Sequence, residues 1–318
     1  MLGAVVPLFA VIFLGFFAGR AGFLNADGIR GLVAFVFNFA IPALLFRLMA
    51  RTDVGEIAEW SFVGAYLLAE GAVFLAGVLV GALVFGMRLA GMTIQGFGSA
   101  FSNGVLLTLP MLLALYGEAG AVPALPIITL DVLSFALITL LLELGSRGGA
   151  DGATGGAVVR RVARSIATHP ILVAQVAGLL FALTGLGLPG VVEKTLAFIG
   201  QAAAPAALFA LGATLSRRRL AAGGGSLGPA GVMVAFKLAL HPALTWLAMI
   251  QLATGVEPSW ATAAVLFAAS PVGVNVYIFA QHYEVGVEST STAILISTAL
   301  SMVTITGLLL VLPPVVAP

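Results

Sequence analysis

Ten apolar runs, each bounded by charge, Gly or Pro, divide the chain: 2–19, 31–49, 61–86, 92–116, 121–144, 168–185, 194–215, 229–252, 259–283 and 286–312. About 20 apolar residues cross the hydrocarbon core as a helix, so ten spans with short loops account for the whole chain. No stretch is left for a separate soluble domain.

Two runs are polar where a helix interior should not be. Residues 259–283, SWATAAVLFAASPVGVNVYIFAQHY, carry Pro271, Gly273 and Asn275 near their middle. Proline removes a backbone donor and clashes with the preceding turn, and an amide in hydrocarbon needs a partner, so a broken helix is predicted. Residues 92–116, MTIQGFGSAFSNGVLLTLPMLLALY, repeat the pattern with Ser102, Asn103, Gly104 and Pro110. One such segment is equally a packed proline kink. Two of them in corresponding halves point to a transport site, because unwound backbone survives in a membrane only inside protein or along a polar cavity.

The connectors 146–165 and 216–228 are Gly-rich and basic, and both read as solvated linkers. Loops on the side away from the N-terminus hold Arg20, Arg30, Arg88, Arg147, Arg160, Arg161, Arg164, Arg217, Arg218 and Arg219; the other side holds Arg47, Arg51 and Lys194. Ten against three places the basic side in the cytoplasm and both termini outside.

The longer connector divides five spans from five, and duplication of an odd-span half gives an inverted repeat. Aligning VFNFAIPALLFRLMA (36–50) with IGQAAAPAALFALGA (199–213) superposes Pro42 on Pro205, Leu45 on Leu208 and Phe46 on Phe209. An amide stands four residues before each proline, Asn38 and Gln201.

Composition narrows the class further. At 61% hydrophobic and 8% charged residues, the 318-residue chain is an integral membrane protein. A net charge of +1 with dispersed basic residues argues against nucleic-acid binding, and the absence of cysteine excludes disulfides, thiolate metal sites and a cysteine nucleophile. The first run, Leu2 to Gly19, has no charged leader and reads as a retained span rather than a cleaved signal.

The motifs NFAIPALLF (38–46), SNGVLLTLP (102–110), TLDVLSF (129–135), SPVGVNVYIFAQHY (270–283) and STAILISTALSMVTIT (291–306) resemble the auxin efflux carrier family, which includes plant auxin exporters and bacterial permeases proposed to carry malate and related organic acids. The resemblance covers nearly the full length. It implies an all-α integral membrane protein of ten transmembrane helices in two inverted five-helix repeats, 1–145 and 166–318, joined by a cytoplasmic linker at 146–165. Helices 4 and 9 are broken and cross at mid-membrane, with Asn103, Pro110, Pro271 and Asn275 at the crossing. A scaffold domain and a transport domain with elevator-type alternating access, in a bacterial inner membrane, follow from the same likeness. Relatives often have proline where this chain has Thr306, which leaves the shape of the last helix open.

Crossing two broken helices brings half-helix N-termini and unpaired N–H groups to one point, which suits a carboxylate. Asn103 and Asn275 can donate amide hydrogens without a permanent cation; Asn38, Gln201, Gly104, Pro110, Ser270 and Pro271 complete the candidate binding set. Carbonyls at the breaks, with the Thr108 and Ser270 hydroxyls, suit Na⁺ or a proton-bearing water equally.

Ionisable residues inside spans are functional candidates by default. Asp131 reads as a proton carrier or ion ligand, Glu70 and Lys237 as supporting or titrating groups, Lys237 also as a structural or snorkelling residue, and Glu143 as reaching the interface. Ser297, Ser301 and Thr304 share one helix face and suit interhelical bonding. His169, His241 and His282 read as lying near span ends, without metal-ligand spacing.

The leading expectation is a secondary transporter of small organic anions, with export favoured by analogy. No cofactor is expected, H⁺ or Na⁺ is the candidate coupling ion, and the expected partners are the substrate, the bilayer and, compatibly, a second copy in a homodimer. The alternatives are a Na⁺-coupled symporter of larger amphipathic anions of the bile-acid type, a channel, and an intramembrane hydrolase built on Ser99.

Overall fold

The computed structural model describes residues 2–52, 59–145, 160, 163–164, 166–218 and 226–312. Most of the connector at 146–165, including Arg147 and Arg161, lies outside the described residues, as does Arg219. Helices make up the architecture: α1 (Leu2–Arg20), α2 (Ala26–Arg51), α3 (Trp60–Leu83), α4 (Leu89–Ala100), α5 (Gly104–Ala121), α6 (Ala124–Gly145), α7 (Pro170–Ala182), α8 (Gly190–Leu215), α9 (Leu227–Leu252), α10 (Pro258–Ala268), α11 (Val274–His282) and α12 (Val287–Val311).

Seven of these, α2, α3, α5, α6, α8, α9 and α12, are long and apolar enough to cross a membrane. Their outward faces carry bare apolar side chains such as Leu68, Phe198 and Val303, which only lipid would cover. The chain is a multi-pass membrane protein.

Three helices contain one widened turn, Val36–Ala40 in α2, Gly104–Thr108 in α5 and Phe236–Leu240 in α9. Each ends two residues before a proline, Pro42, Pro110 and Pro242. A proline ring collides with the carbonyl four residues earlier, and a π turn moves that carbonyl aside without ending the helix. Pro205 acts differently: α8 loses its helical bonding at Ala202 and resumes at Ala203.

The helix neighbours repeat in a swapped pattern. α1 packs on the second half of α8, and α7 packs on α2. α3 lies beside α4, and α9 beside α10; α3 and α9 also pack on each other. The α1–α8 contact brings backbones together, because a Cβ on Gly212 would stand 1.8 Å from the Ile12 carbonyl oxygen.

The runs predicted at 92–116 and 259–283 are each two helices, α4 with α5 and α10 with α11. The last helix is continuous through Thr306, whose hydroxyl donates to the Met302 carbonyl at 2.6 Å.

Candidate functional site

The two breaks meet. Residues between α4 and α5 lie antiparallel to those between α10 and α11, with Ser102 paired to Val272. The Asn103 N–H donates to the Pro271 carbonyl at 2.9 Å, and the Gly273 N–H donates to the Phe101 carbonyl at 3.1 Å. Ser102 Oγ donates to the Phe267 carbonyl at 2.8 Å, and the Val272 N–H donates to Ser297 Oγ at 3.1 Å. Backbone groups released by one broken helix are therefore satisfied by the other, the condition for unwound chain at this depth. A side chain is not tolerated at the contact: a Cβ on Gly104 would meet the Phe267 ring at 1.9 Å, and one on Gly273 would meet Phe101 at 2.4 Å.

In front of the crossing lies a cavity of about 570 Å³. α2 supplies Arg30 and Asn38, the breaks supply Ser102, Asn103, Gly104 and Asn275, and α6 supplies Asp131. His169, before α7, and Thr214 and Arg218, at the end of α8, complete its polar lining. The first turns of α5 and α11 open onto it, so the positive ends of two half-helices face the same space.

Four polar atoms on this wall are buried without a hydrogen-bond partner among the described residues: Asn103 Nδ2, Asp131 Oδ1, His169 Nδ1 and Thr214 Oγ1. Such atoms cost free energy unless something pairs with them, and their convergence marks a place for a polar ligand. Burial holds His169 below the ordinary histidine pKa, so its ring is neutral at pH 7.

A second polar cluster stands behind the crossing. Lys237 is 0% exposed; its Nζ donates to the Ala268 carbonyl, at the end of α10, and lies 3.1 Å from His241 Nδ1. Glu70 and Asp131, the other ionisable residues of this region, are buried as well. Lys237 does not snorkel, contrary to that reading of its side chain; it covers a carbonyl that the break has freed. His241 is fully buried in the interior of α9, which corrects the sequence reading that placed it near a span end. It is fixed there by Lys237 one turn earlier.

The predicted binding residues divide into two groups. Asn38, Asn103, Gly104 and Asn275 line the cavity with Asp131, whereas Pro110, Ser270 and Pro271 are buried beside or behind it. Gln201 is exposed away from the cavity, at the interruption of α8. Glu143 accepts a hydrogen bond from the Tyr283 hydroxyl at 3.1 Å, on a smaller recess of about 340 Å³. Thr108 and Ser270 are buried with unpartnered hydroxyls at the crossing.

Arg218 was not foreseen. The run at 216–219 reads as solvated linker, yet Arg218 is half-buried on the cavity wall, with its guanidinium carbon 3.3 Å from the centre of the Tyr277 ring. The site thus has a fixed cation, where the asparagines alone were expected to act. Thr214, one turn earlier, lines the same cavity.

At the far end of α2 the molecule is closed by charge. Arg47, 11% exposed, pairs with Glu118 of α5 and, at 2.8 Å, with Glu193 of α8; Arg51 adds a 3.1 Å bond to Glu193. The cavity residues Arg30 and Asn38 lie in the opposite half of α2.

Membrane-crossing helices around a largely apolar cavity that carries a few converging polar groups, with broken backbone at its floor, define a membrane transporter. The family model described as membrane transport protein matches residues 1–309, and the chain belongs to this family, that of the auxin efflux carriers. A Rhizobium meliloti (strain 1021) protein named "Putative malonate transporter" is 34% identical over 310 residues, covering 96% of this chain and 94% of its own. "Probable auxin efflux carrier component 5a" of Oryza sativa subsp. japonica is 25% identical, covering 98% and 96%. An uncharacterized transporter of Methanothermobacter thermautotrophicus is 26% identical, covering 95% of each chain. The family and these relatives are transporters and not enzymes, which sets aside the hydrolase reading of Ser99; its hydroxyl donates to the Gln95 carbonyl of its own helix at 2.8 Å.

Proposed function

We propose that this protein is a secondary transporter of small organic anions, mono- or dicarboxylates, working by elevator-type alternating access. The observation that carries the reading is the cavity at the crossing, where the buried, unpartnered Asn103 Nδ2, the partly buried Asn275 and the positive ends of two half-helices face one space. Amide donors and helix ends bind a carboxylate reversibly, as a carrier requires. The name of the Rhizobium relative agrees with this class.

The swapped neighbours support two inverted five-helix repeats, with α4–α5 and α10–α11 as the equivalent broken spans. In this reading α1, α2, α7 and α8 form the scaffold and the remaining helices the moving body. The cavity lies between them, and the Arg47 cluster closes its far side. Asp131, with Lys237 and Glu70 behind it, is the proposed seat of ion coupling, and the basic ends of the helices face the cytoplasm of a bacterial inner membrane.

Counterflow in liposomes tests the proposal: purified protein loaded with one unlabelled acid exchanges it for labelled acid added outside. Saturable exchange of a mono- or dicarboxylate is expected, measured with and without Na⁺ and across pH. Absence of saturable exchange for every acid tried would remove the reading.

A further inference from the structure

Three other basic residues around the cavity have an oxygen for a partner. Arg30 pairs with Asp27, Arg217 donates to the Leu24 carbonyl at 2.9 Å, and Lys237 donates to the Ala268 carbonyl. Arg218 has Tyr277 of α11 as its partner, through the ring and the hydroxyl, and no carboxylate among the described residues pairs with it. A guanidinium has five N–H donors, and one tyrosine, by ring face and hydroxyl, leaves several of them open along the edge. A half-buried cation with open donors on a cavity wall is arranged for an anion from outside the chain. Thr214 adds a second donor on the same wall, its hydroxyl buried and unpartnered.

We propose that Arg218 is the specificity-determining residue of this cavity: its planar fork takes a second carboxylate, so that the preferred cargo is a short-chain dicarboxylate. This rests on the transport reading above, in which the first carboxylate is held by Asn103 and Asn275. Asn275 and Arg218 line the same cavity of about 570 Å³, so a small acid inside it can meet both. Asp131 lies on a different wall, from α6, so a doubly charged acid lies with its second carboxylate turned toward the end of α8. Arg218 also joins α8 to α11, two elements that belong to different bodies in the transport reading, and an acid bridging them would be sensed by both.

Competition in the liposome counterflow assay tests the assignment, with malonate as the two-charge probe and butyrate as the one-charge probe. In the unaltered protein malonate should compete at least tenfold better than butyrate. Arg218→Gln should lose tenfold or more for malonate and less than threefold for butyrate. Arg218→Lys should fall between, because an ammonium keeps the charge and loses the fork. Exchange of neither acid in the unaltered protein would remove the transport reading itself. Exchange with no preference for malonate would overturn the dicarboxylate inference and leave that reading standing. Equal malonate competition before and after Arg218→Gln, or equal losses for both acids at an unchanged unfolding temperature, would overturn the role given to Arg218. If the glutamine variant does not fold, Arg218→Lys carries the same comparison, and an unchanged malonate preference there overturns the fork.

Discussion

Asn103 and Pro271 are tied main chain to main chain, the Asn103 N–H donating to the Pro271 carbonyl at 2.9 Å. The backbone of Asn103 is thereby used in holding the two broken spans together, while its side-chain amide is left facing the cavity without a partner. One residue serves structure through its backbone and ligand through its side chain, and the two roles are separable by mutation. Asn103→Ala and Asn275→Ala should each weaken carboxylate binding by roughly tenfold or more, since a hydrogen bond to a charged group contributes about 1.5–3 kcal/mol. The unfolding temperature should stay close to that of the unaltered protein. Near-normal exchange in both variants would take the asparagines out of the site.

Gly104 and Gly273 set the distance between the two breaks. Gly104→Ala places a methyl group inside the Phe267 ring position and should destabilise the protein by about 1–3 kcal/mol, the usual cost of overpacking. Adding Phe267→Leu should recover part of the loss, read as the unfolding midpoint in detergent. A single Gly104→Ala variant as stable as its parent would contradict the close approach described here.

Lys237 is fully buried in a region that also buries Glu70 and Asp131, so its removal should be worse than the removal of the cluster. Lys237→Met leaves Glu70 and Asp131 buried without a cation and should cost several kcal/mol, about 3–5 for a broken buried pair. Lys237→Met with Glu70→Gln should be milder. Asp131→Asn should flatten the pH dependence of exchange where this carboxylate carries the proton. A variant with an unchanged pH profile would make Asp131 structural.

His169 gives the acid side of the stability curve a definite sign. Its folded pKa lies below the unfolded value of about 6.5, so the unfolded chain takes up the proton first. Stability is fully present above that value and is lost as the pH falls from it through the folded pKa. His169→Gln should remove this part of the loss, visible as a flatter unfolding temperature between pH 7 and pH 5. Parallel curves for the two proteins would refute the assignment.

Glu118 joins α5 to Arg47 of α2, across the proposed boundary between moving body and scaffold. Glu118→Gln should favour opening at that end, by about 0.5–1 kcal/mol or two- to fivefold in population, as for a partly exposed pair. The chain has no cysteine, so Thr214→Cys offers a single label in the cavity. Its modification from the cavity's open end should slow when Glu118 is neutralised. An unchanged rate would deny the pair a role in closing the far end.

The breaks were legible because proline, glycine and asparagine disturb a helix locally: Ser102 to Gly104 and Pro271 to Asn275 fall where the helices end and begin. The amide–proline spacing was informative in one half only. Asn38 reaches the cavity through a π turn, whereas the interruption at Ala202 leaves Gln201 outside, and nothing in a spacing of four distinguishes the two. Arg218 was hidden because a basic, glycine-rich segment is usually solvated, and only tertiary packing turns one of its side chains inward. Lys237 and His241 show the same limit: hydrophobicity locates the helix, but the carbonyl that Lys237 reaches belongs to α10, 31 residues away in sequence.

Each widened turn ahead of Pro42, Pro110 and Pro242 carries one residue more than an ordinary turn, and one residue is worth about 100° of rotation. The widened turn takes up that rotation itself, so deleting a single residue from Val36–Ala40 would restore a plain spiral and leave the preceding turns, Arg30 among them, facing as before. These loops of spare chain are thus buffers of length, places where a one-codon insertion or loss is tolerated without redirecting the half-helix beyond it.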